Sequence, residues 1–571
     1  MDLSTAIKLK NSTDSIPIDN HFKLCAGPGA GKTTFLINHI RNILSRSTRL
    51  SKTKKIACIT YTNTGVETIL KRLENISTDV EVSTIHSFLY THVVKPYLWL
   101  LDNIIFPLDK LDGHDEIKPG YSILKEFKER SNQRWISDNQ ALSKALSKLT
   151  WVINDNKEIE LKFLKPHHGK LTDKTSVKKE SYIVYKKLCW EHGMLSHDDV
   201  LYFSYLLIKR YRRIREIVRA KFPYFLIDEF QDTSPLQVEI IKLIAEKEMV
   251  LGVIGDPCQS IFSFQGASER SFSQFSLKEM VIYSLESNYR STQQIISVLN
   301  YLRNDESFVQ YCPKKKSGNT PTILIGDAFT SYYEFKKNCS VEKWCVLGYR
   351  NETANSIEYS IEDLIFTDID NLFYKDSNRS KIIYYAIHAI EYGRQLKMKE
   401  ALKFMKKAFK LVENFSEKDS FVVLKRLLNE YKVFNSMNIK EFYNTYIYNC
   451  YGIKQEIKSG KIKDYYESLQ YNQIASLVNI ADDNSTFKTI HKAKGDEFDN
   501  VLLIIPKSNC TKFLKFLLSP DMKNEEHRVY YVALSRAKNS LYINIPTISE
   551  NEMNLIKKFD KKVLSTNLVY N

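Results

Sequence analysis

The sequence lacks any run of eighteen apolar residues, and its first twenty residues contain no hydrophobic stretch. A membrane-spanning helix or a secretory signal needs such a stretch, so we expect neither, no membrane partner, and a cytoplasmic location. None of the nine cysteines stands in a C-x-x-C pair, which argues against a zinc site and against a disulfide framework. Repeats of fixed period and long low-complexity tracts are also missing, so a repeat architecture is not expected.

The composition is that of a folded protein with a surplus of positive charge. Hydrophobic residues make up 43% of the chain and charged residues 26%, a balance that excludes disorder as the main state. The 83 Lys and Arg residues exceed the 67 Asp and Glu residues by 16, which favours an acidic polymer such as nucleic acid as a partner. At about 150 residues per domain, the 571 residues suggest roughly four domains or subdomains.

Short apolar segments that alternate with helical patterns indicate an α/β fold with parallel sheets. The predicted strands lie at 22–26, 56–60, 224–227, 249–254, 281–285, 344–347, 487–490, 501–505 and 541–545. The strand pattern lapses twice, so we expect two α/β cores, each interrupted by a mostly helical insertion. The expected division is 1–84 and 196–283 for the first core, 85–195 for its insertion, 284–350 and 484–571 for the second core, and 351–483 for the second insertion.

A phosphate-binding loop follows the first of these strands. Residues 26–33 read Ala-Gly-Pro-Gly-Ala-Gly-Lys-Thr, which matches G-x-x-x-x-G-K-[ST] except that Ala26 takes the first glycine position. Gly29 and Gly31 let backbone N–H groups converge on phosphate oxygens, Lys32 neutralises β- and γ-phosphate charge, and Thr33 can bind Mg²⁺ through its hydroxyl. The predicted nucleotide-binding residues of this loop are Gly27, Pro28, Gly29, Ala30, Gly31, Lys32, Thr33 and Thr34.

An acidic pair ends the predicted strand 224–227. Asp228 would hold Mg²⁺ through water, and Glu229 would orient and deprotonate the attacking water. A lone Asp-Glu pair after an apolar run is more often a strand end or a helix cap, but the phosphate-binding loop upstream reverses that preference. The sequence therefore predicts an enzyme that hydrolyses a nucleoside triphosphate.

The segment Asp-Glu-Phe-Gln-Asp-Thr at 228–233 resembles the second motif of superfamily 1A helicases of the UvrD/Rep/PcrA type. Segments that resemble the other motifs of this family follow in the family's order at 60–63 (Thr-Tyr-Thr-Asn), 83–87 (Ser-Thr-Ile-His-Ser), 193–199, 253–267, 288–291 (Asn-Tyr-Arg-Ser), 489–498 and 525–537. They cover both cores, whereas the two insertions show no recognisable match. The resemblance implies two RecA-like cores and an ATP-dependent DNA helicase that translocates on single-stranded DNA, in the 3′-to-5′ direction.

The resemblance also implies roles for residues around ATP. Gln259 would bond the γ-phosphate or the attacking water, while Arg290 and Arg536 would neutralise transition-state charge. Tyr289 would stack on the adenine, and Glu497 would bind the ribose hydroxyl. The predicted catalytic residues are Glu229, Gln259, Arg290 and Arg536, and the predicted metal-binding residues are Thr33 and Asp228.

For nucleic acid, Tyr61, Phe262 and Phe264 take positions at which the family stacks bases of a single strand, and such stacking tolerates any sequence. The residues expected to contact backbone phosphates are Thr62, Asn63, His86, Thr489 and His491. Taken singly, Phe264 is more often a core residue and His86 a structural one. The expected partners are single-stranded DNA and duplex junctions.

Departures from the family pattern keep other functions open. No glutamine precedes Gln133, so the family's adenine-reading glutamine is missing and strict specificity for ATP is in question. Phe262, Phe264 and Gln265 stand where the family has Tyr, Trp and Arg. One alternative is a DNA-sensing ATPase that regulates a partner nuclease, for example in a Gabija-like anti-phage defence system, and another is an NTPase without a nucleic-acid role.

Overall fold

The structure is a computed structural model of the chain. It describes residues 3–564 except 102–105, 118, 155, 173–174, 247, 340–342, 360–371, 373–375, 377–378, 452–453 and 479–484. The chain divides into two compact units, one made of 1–290, 303–316 and 522–528, the other of 291–302, 317–521 and 529–571. Within the described ranges, none of the helices has the length and apolar character needed to cross a membrane.

The strands belong to two parallel sheets and one hairpin. In chain order they are β1 (Ile7–Leu9), β2 (Phe22–Ala26), β3 (Ile56–Thr60), β4 (Val80–Thr84), β5 (Leu149–Ile153), β6 (Ile159–Phe163), β7 (Tyr224–Ile227), β8 (Val250–Gly255), β9 (Val281–Leu285), β10 (Thr322–Ile325), β11 (Trp344–Gly348), β12 (Phe487–Thr489), β13 (Phe498–Ile504), β14 (Ala537–Ile545) and β15 (Asp560–Val563). The predicted α/β class with two parallel-sheet cores is confirmed.

The first unit is built on a seven-stranded sheet with the order β1-β9-β2-β8-β7-β3-β4, in which all neighbouring strands are parallel. Every residue of β2, β3 and β7 is buried, because helices cover both faces of a parallel sheet. Leu24 of β2 lies opposite Ile254 on β8 and Tyr283 on β9. The strand β9 runs to Leu285, two residues beyond the expected end of the first core.

The α-helices of five or more residues that lie wholly in the first unit are Lys32–Arg46, Asn63–Leu73, Ile85–Leu89, Tyr121–Arg130, Asn139–Leu146, Tyr182–Glu191, His197–Arg210, Arg212–Lys221, Pro235–Ala245 and Glu269–Ser273. Several begin with a side-chain cap. Ser196 and Asp199 form a reciprocal capping box at the start of His197–Arg210, which satisfies two backbone donors at that helix end.

The first insertion corrects one expectation. The sequence pattern gave no strands for residues 85–195, yet β5 and β6 form an antiparallel hairpin there. The indole of Trp151 on β5 donates a hydrogen bond to Asp199 Oδ1 at 2.8 Å. Its ring also stacks on Tyr202 with 3.8 Å between ring centroids. These contacts pack the hairpin against the helix His197–Arg210, so the insertion is helical with one added hairpin.

The second unit contains a six-stranded sheet with the order β12-β11-β13-β14-β10-β15, again parallel throughout. The predicted strands correspond to β11, β12, β13 and β14, while β10 and β15 were not predicted. Among the described residues, the α-helices of five or more residues in this unit are Ala328–Asn338, Asn351–Glu358, Ser380–Arg394, Met398–Ala408, Glu417–Asn429, Lys461–Glu467, Tyr471–Val478, Cys510–Leu518 and Glu550–Leu555. Two further helices, Gln293–Arg303 and Glu525–Leu534, have residues in both units.

The described part of the second insertion is mostly helical, in agreement with the predicted fold class. Its described residues contain helices and no strand named in either sheet. Aliphatic and aromatic side chains from these helices form a buried cluster of their own, which includes Ile383, Ile387, Phe434, Phe442 and Tyr471. A cluster of this size lets the insertion bury its own core.

Candidate nucleotide and nucleic-acid sites

The parallel order of the first sheet gathers the candidate residues at one edge. In a parallel sheet all carboxyl ends lie on the same side, and ligands of open α/β sheets bind outside those ends. The phosphate-binding loop follows β2, Asp228 follows β7, Asp256 follows β8, and Asn288 comes shortly after β9. The fold therefore brings segments that are far apart in the sequence to one place in the first unit.

Glycine conformations shape the phosphate-binding loop. Gly31 has φ 89° and ψ 33° and precedes the helix Lys32–Arg46, so the first backbone N–H groups of that helix are available to an anion. Gly29 has φ 70°. A Cβ atom at this position would lie 2.5 Å from Asn288 Oδ1 and 2.7 Å from Arg290 Cβ. The loop thus needs glycine at position 29 for both its conformation and its packing.

Two hydrogen bonds join distant segments to this loop, and a third lies within one of those segments. The Tyr289 N–H donates to Gly29 O at 2.9 Å, and the Arg290 N–H donates to Asn288 Oδ1 at 3.0 Å. Gln310 Nε2 donates to Pro28 O at 3.0 Å. The structure therefore places Tyr289 and Arg290 beside the loop, together with Gln310, which no sequence motif marked.

The acidic pair lies next to the loop lysine. Lys32 Nζ is 3.7 Å from Glu229 Oε1, and Gln231 Nε2 donates a hydrogen bond to Glu229 Oε2. Glu229 has φ 53° and ψ 38°, a left-handed conformation that is uncommon for residues other than glycine and is often kept at functional sites. Burial raises the pKa of Asp228 to about 7, and the neighbouring Glu229 carboxylate adds to the rise.

The oxygen atoms of Thr33, Asp228 and Glu229 fit a magnesium ion that is bound together with phosphates. Within the described residues, no group of three or more His, Cys, Asp or Glu side chains is arranged to hold a metal by itself. Protein Mg²⁺ sites commonly use one or two carboxylates and complete the coordination with water and substrate phosphates. Asp228 is buried beside the Glu229 carboxylate, so a bound cation would stabilise the pair. Thr33, which follows Lys32, offers a hydroxyl as a further ligand.

Gln259 is connected to the acidic pair through other polar side chains. Its Nε2 donates to Asp256 Oδ2 at 2.7 Å, and the Asp256 N–H donates to Gln231 Oε1 at 3.1 Å. Gln231 in turn bonds Glu229. Gln231 and Asp256 were part of recognised motifs, but their linking role has no signal in the sequence.

Three aromatic rings form a cluster on the first unit. Tyr61 directly follows β3, and its ring stacks on that of Phe262 with 5.1 Å between centroids and 23° between planes. The Phe262 and Phe264 ring centroids are 5.8 Å apart. Phe264 is 43% exposed, so it is not a core residue, and it presents an accessible ring at the end of the cluster.

Thr62 and Asn63 lie at the start of the helix Asn63–Leu73. Thr62 Oγ1 accepts a hydrogen bond from the Gly65 N–H at 3.1 Å and so caps the helix. This use of the oxygen leaves the hydroxyl hydrogen able to donate. Asn63 is exposed, so both side chains can reach an anion at this helix end.

His86 lies in a cluster of three histidines. Its ring centroid is 5.7 Å from that of His197 and 6.5 Å from that of His114. Burial lowers the pKa of His86 to about 3, and the two neighbouring histidines lower it further. The imidazole is therefore neutral near pH 7 and would meet a phosphate as a hydrogen-bond donor without charge.

In the second unit, Thr489 and His491 stand at the carboxyl end of β12. Thr489 is buried, and its Oγ1 accepts a hydrogen bond from the Lys492 N–H at 3.3 Å. The His491 ring lies 6.1 Å from the Tyr349 ring, edge to face. Both side chains are thus held by neighbours from their own unit.

Glu497 and Arg536 lie close together at the amino ends of β13 and β14. The Phe498 N–H donates to Arg536 O at 3.1 Å, which joins the two segments. The Arg536 side chain is buried and donates from Nη2 to Ser535 Oγ at 2.9 Å. Glu497 Oε2 is 3.3 Å from Lys538 Nζ.

The predicted site residues therefore form two groups, each within one unit. The first unit holds residues 27–34, Tyr61, Thr62, Asn63, His86, Asp228, Glu229, Gln259, Phe262, Phe264, Tyr289 and Arg290. The second unit holds Thr489, His491, Glu497 and Arg536.

Comparisons with known proteins match nearly the whole chain. Residues 10–279 match the family described as "UvrD/REP helicase N-terminal domain", and residues 283–547 match "UvrD-like helicase C-terminal domain". The chain is 32% identical over 321 residues to the ATP-dependent DNA helicase Rep of Buchnera aphidicola subsp. Acyrthosiphon pisum, over 53% of this chain and 46% of that protein. It thus spans about half the length of this relative.

Two other relatives are matched over most of their length. Identity is 24% over 618 residues with Rep of Buchnera aphidicola subsp. Schizaphis graminum, covering 91% of this chain and 90% of that protein. Identity is also 24% over 606 residues with the Gabija protein GajB of Bacillus cereus, covering 92% and 84%.

Proposed function

The chain belongs to the UvrD/REP helicase family, and we propose that it couples ATP hydrolysis to movement along single-stranded DNA and to separation of duplex strands, in the 3′-to-5′ direction. The observation that carries the proposal is the convergence of four segments at one edge of the first sheet. These are the phosphate-binding loop, the pair Asp228 and Glu229, Gln259, and the segment 288–290. The direction of movement rests on the family alone.

In the proposed hydrolysis, backbone N–H groups of residues 27–34 and the Lys32 ammonium bind the phosphates of ATP. Thr33 and Asp228 would hold Mg²⁺, which would neutralise phosphate charge. Glu229 accepts the proton of the attacking water. Its left-handed backbone and its bond from Gln231 hold the carboxylate in one orientation.

Other residues act on the transition state and on the base. Gln259 bonds the attacking water or the γ-phosphate, and Arg290 and Arg536 neutralise charge that develops on the phosphates. Tyr289 stacks on the adenine and Glu497 binds the ribose. Support comes from the hydrogen bond of the Tyr289 N–H to Gly29 and from the exposed Tyr289 ring.

The proposed DNA path uses stacking for the bases and hydrogen bonds for the backbone. Bases stack on Tyr61, Phe262 and Phe264, since every base offers a π-face to such a platform. Thr62, Asn63, His86, Thr489 and His491 contact phosphates. The exposed ring of Phe264 and the exposed side chain of Asn63 support this path. The partners are single-stranded DNA and duplex junctions.

We further propose the subdomain division that the sequence suggests. The first core comprises 1–84 and 196–283, with β9 extending it to residue 285, and 85–195 form its insertion. The second core comprises 284–350 and 484–571, less the part of β9, and 351–483 form the second insertion. Residues 286–290, 303–316 and 522–528 of this proposed core pack within the first compact unit. A cytoplasmic location stays a prediction.

A strand-displacement assay tests the motor. We expect the chain alone to displace a strand from a duplex with a 3′ single-stranded tail in the presence of ATP and Mg²⁺, and to be inactive on a 5′ tail. Lys32→Ala should abolish displacement, because β- and γ-phosphate charge is left uncompensated. Lys278→Ala, at a lysine that is 92% exposed, is the matched control. Displacement from the 5′ tail alone would overturn the direction.

The second candidate is a DNA-sensing ATPase that regulates a partner nuclease. The observation that favours it is the similarity to the Gabija protein GajB over 92% of this chain. This function predicts that DNA stimulates ATP hydrolysis by the chain but that the chain displaces no strand. It also predicts that the rate of DNA cutting by the partner nuclease depends on the ATP concentration. The product of the neighbouring reading frame is the candidate partner to add to the assay. ATP hydrolysis that is indifferent to DNA would exclude both candidates.

A further inference from the structure

A buried ion pair lies behind the proposed catalytic residues of the first unit. Arg303, the last residue of the helix Gln293–Arg303, places Nη1 at 3.0 Å from Asp256 Oδ1. The side chains of Arg303 and Asp256 are 2% and 0% exposed. The guanidinium carbon also lies 4.0 Å from the Phe308 ring centroid. Arg303 is outside every segment that resembles a helicase motif, so no role was predicted for it.

The Asp256 carboxylate uses both of its oxygens. Oδ1 accepts from Arg303 and from the Cys258 N–H at 3.2 Å. Oδ2 accepts from Gln259 Nε2 at 2.7 Å. One carboxylate therefore joins a buried cation to the side chain that is proposed to bond the attacking water or the γ-phosphate.

The chemistry of this carboxylate determines how the Gln259 amide is turned. An ionised carboxylate only accepts hydrogen bonds, so the amide must present Nε2 to Asp256 and direct Oε1 away from it. A buried carboxylate without a counter-charge is costly, and it must rotate or be neutralised when its partner is removed. Either change removes the acceptor that holds Gln259.

We propose that Arg303 is a positioning residue for ATP hydrolysis, which acts by holding Asp256 as the acceptor that orients the Gln259 amide. The inference rests on the role proposed above for Gln259. Arg303 affects turnover only through these two side chains. The bound nucleotide keeps its contacts with the phosphate-binding loop.

The first experiment compares two Arg→Gln variants in single-stranded-DNA-stimulated ATP hydrolysis. Arg303→Gln should lower kcat about tenfold or more and change KM for ATP less than about threefold, because orientation matters most in the transition state. The control is Arg379→Gln in the second unit, where Arg379 lies 2.7 Å from Asp376 and the side chains are 15% and 3% exposed. It should keep the wild-type kcat. Equal losses in the two variants would overturn the proposal.

The second experiment asks whether Arg303 acts through Gln259. In a Gln259→Ala background, Arg303→Gln should lower kcat by less than about twofold further, because residues that act as one unit are not additive. A full tenfold further loss would overturn the inference while leaving the role of Gln259 intact. Wild-type turnover by Gln259→Ala would instead overturn the proposed role of Gln259, and with it the proposal that Arg303 acts through Gln259.

A third variant keeps the test valid if Arg303→Gln does not fold. The double variant Asp256→Asn/Arg303→Gln removes both buried charges, so it should melt close to the wild type. Its kcat should stay about tenfold low, because an amide at position 256 can donate or accept and no longer fixes Gln259. Wild-type kcat in this folded variant would refute the positioning role.

Discussion

At the scale of single residues, Gly29 carries a strong constraint in the phosphate-binding loop. We expect Gly29→Ala to raise KM for ATP by about tenfold or more, because a side chain at φ 70° is strained and its Cβ would displace the segment 288–290. Gly113→Ala is the control, since Gly113 also has a positive φ of 120° but no atom within 4 Å of the added Cβ. Steady-state ATP hydrolysis measures both. An unchanged KM in Gly29→Ala would contradict the packing argument.

The exposed ring of Phe264 permits a sharp test of base stacking. Phe264→Ala should weaken binding of single-stranded DNA by about 1 to 3 kcal/mol, the usual value of one stacked base. Its melting temperature should stay near the wild type, because the ring is 43% exposed. The variant should therefore retain more of its DNA-stimulated ATP hydrolysis than of its strand displacement.

Tyr333→Ala provides the comparison for Phe264→Ala, since Tyr333 is also 43% exposed but lies on the helix Ala328–Asn338. Anisotropy titrations with labelled DNA and thermal melts are made on the same preparations. A joint fall in melting temperature and in all activities would mean that Phe264 is a packing residue.

The candidate site residues that the sequence indicates are those in local motifs. Lys32, Asp228 and Glu229 stand out because a loop and a strand end have recognisable patterns. Gln310 and Arg303 do not, because Gln310 bonds Pro28 across 282 positions and Arg303 bonds Asp256 across 47. Side-chain contacts between distant positions follow from the fold and leave no pattern in the local sequence.

At the scale of elements, the strands that were predicted are mainly those buried on both faces. β2, β3 and β7 read as apolar runs because neighbouring strands and helices surround them. β1, β4 and β15 are edge strands with one partner each. They tolerate polar residues such as Lys8, Glu81 and Lys561, which obscure the apolar pattern.

The hairpin in the first insertion depends on a buried ion pair. Lys186 Nζ is 2.9 Å from Asp199 Oδ1, with 4% and 0% of the two side chains exposed. Burial opposes ionisation of Asp199, but Lys186 and Ser196 hold its pKa below the ordinary value. This contribution to stability is present above the unfolded pKa of about 4 and is lost as the pH falls below it.

Lys186→Met should therefore lower the free energy of unfolding by about 3 to 5 kcal/mol, because Asp199 is left buried without its cation. Lys187→Met, at the exposed neighbouring lysine, should change it by less than about 0.5 kcal/mol. Urea unfolding at pH 7 measures both variants. The double variant Lys186→Met/Asp199→Leu should recover much of the loss, and failure to do so would point to packing as the cause.

At the scale of the whole molecule, the surplus of 16 positive charges must be reconciled with the side chains proposed to touch DNA phosphates. Thr62, Asn63 and Thr489 are uncharged, and His86 is neutral because its pKa is lowered to about 3. These residues position the strand without releasing counterions. Any strong dependence of affinity on salt must therefore come from Lys and Arg residues along the DNA path.

We expect affinity for single-stranded DNA to fall steeply with salt and to vary little with sequence. The slope of log affinity against log salt is about −0.7 for each neutralised phosphate, so five such contacts would weaken binding about 100-fold between roughly 50 and 200 mM salt. Anisotropy titrations with oligonucleotides of several sequences give the slope. His86→Gln should weaken binding and leave the slope unchanged, because a neutral imidazole displaces no counterion. A slope near zero would show that the net charge has no part in DNA binding, and a slope reduced by His86→Gln would show that the histidine is charged on the DNA.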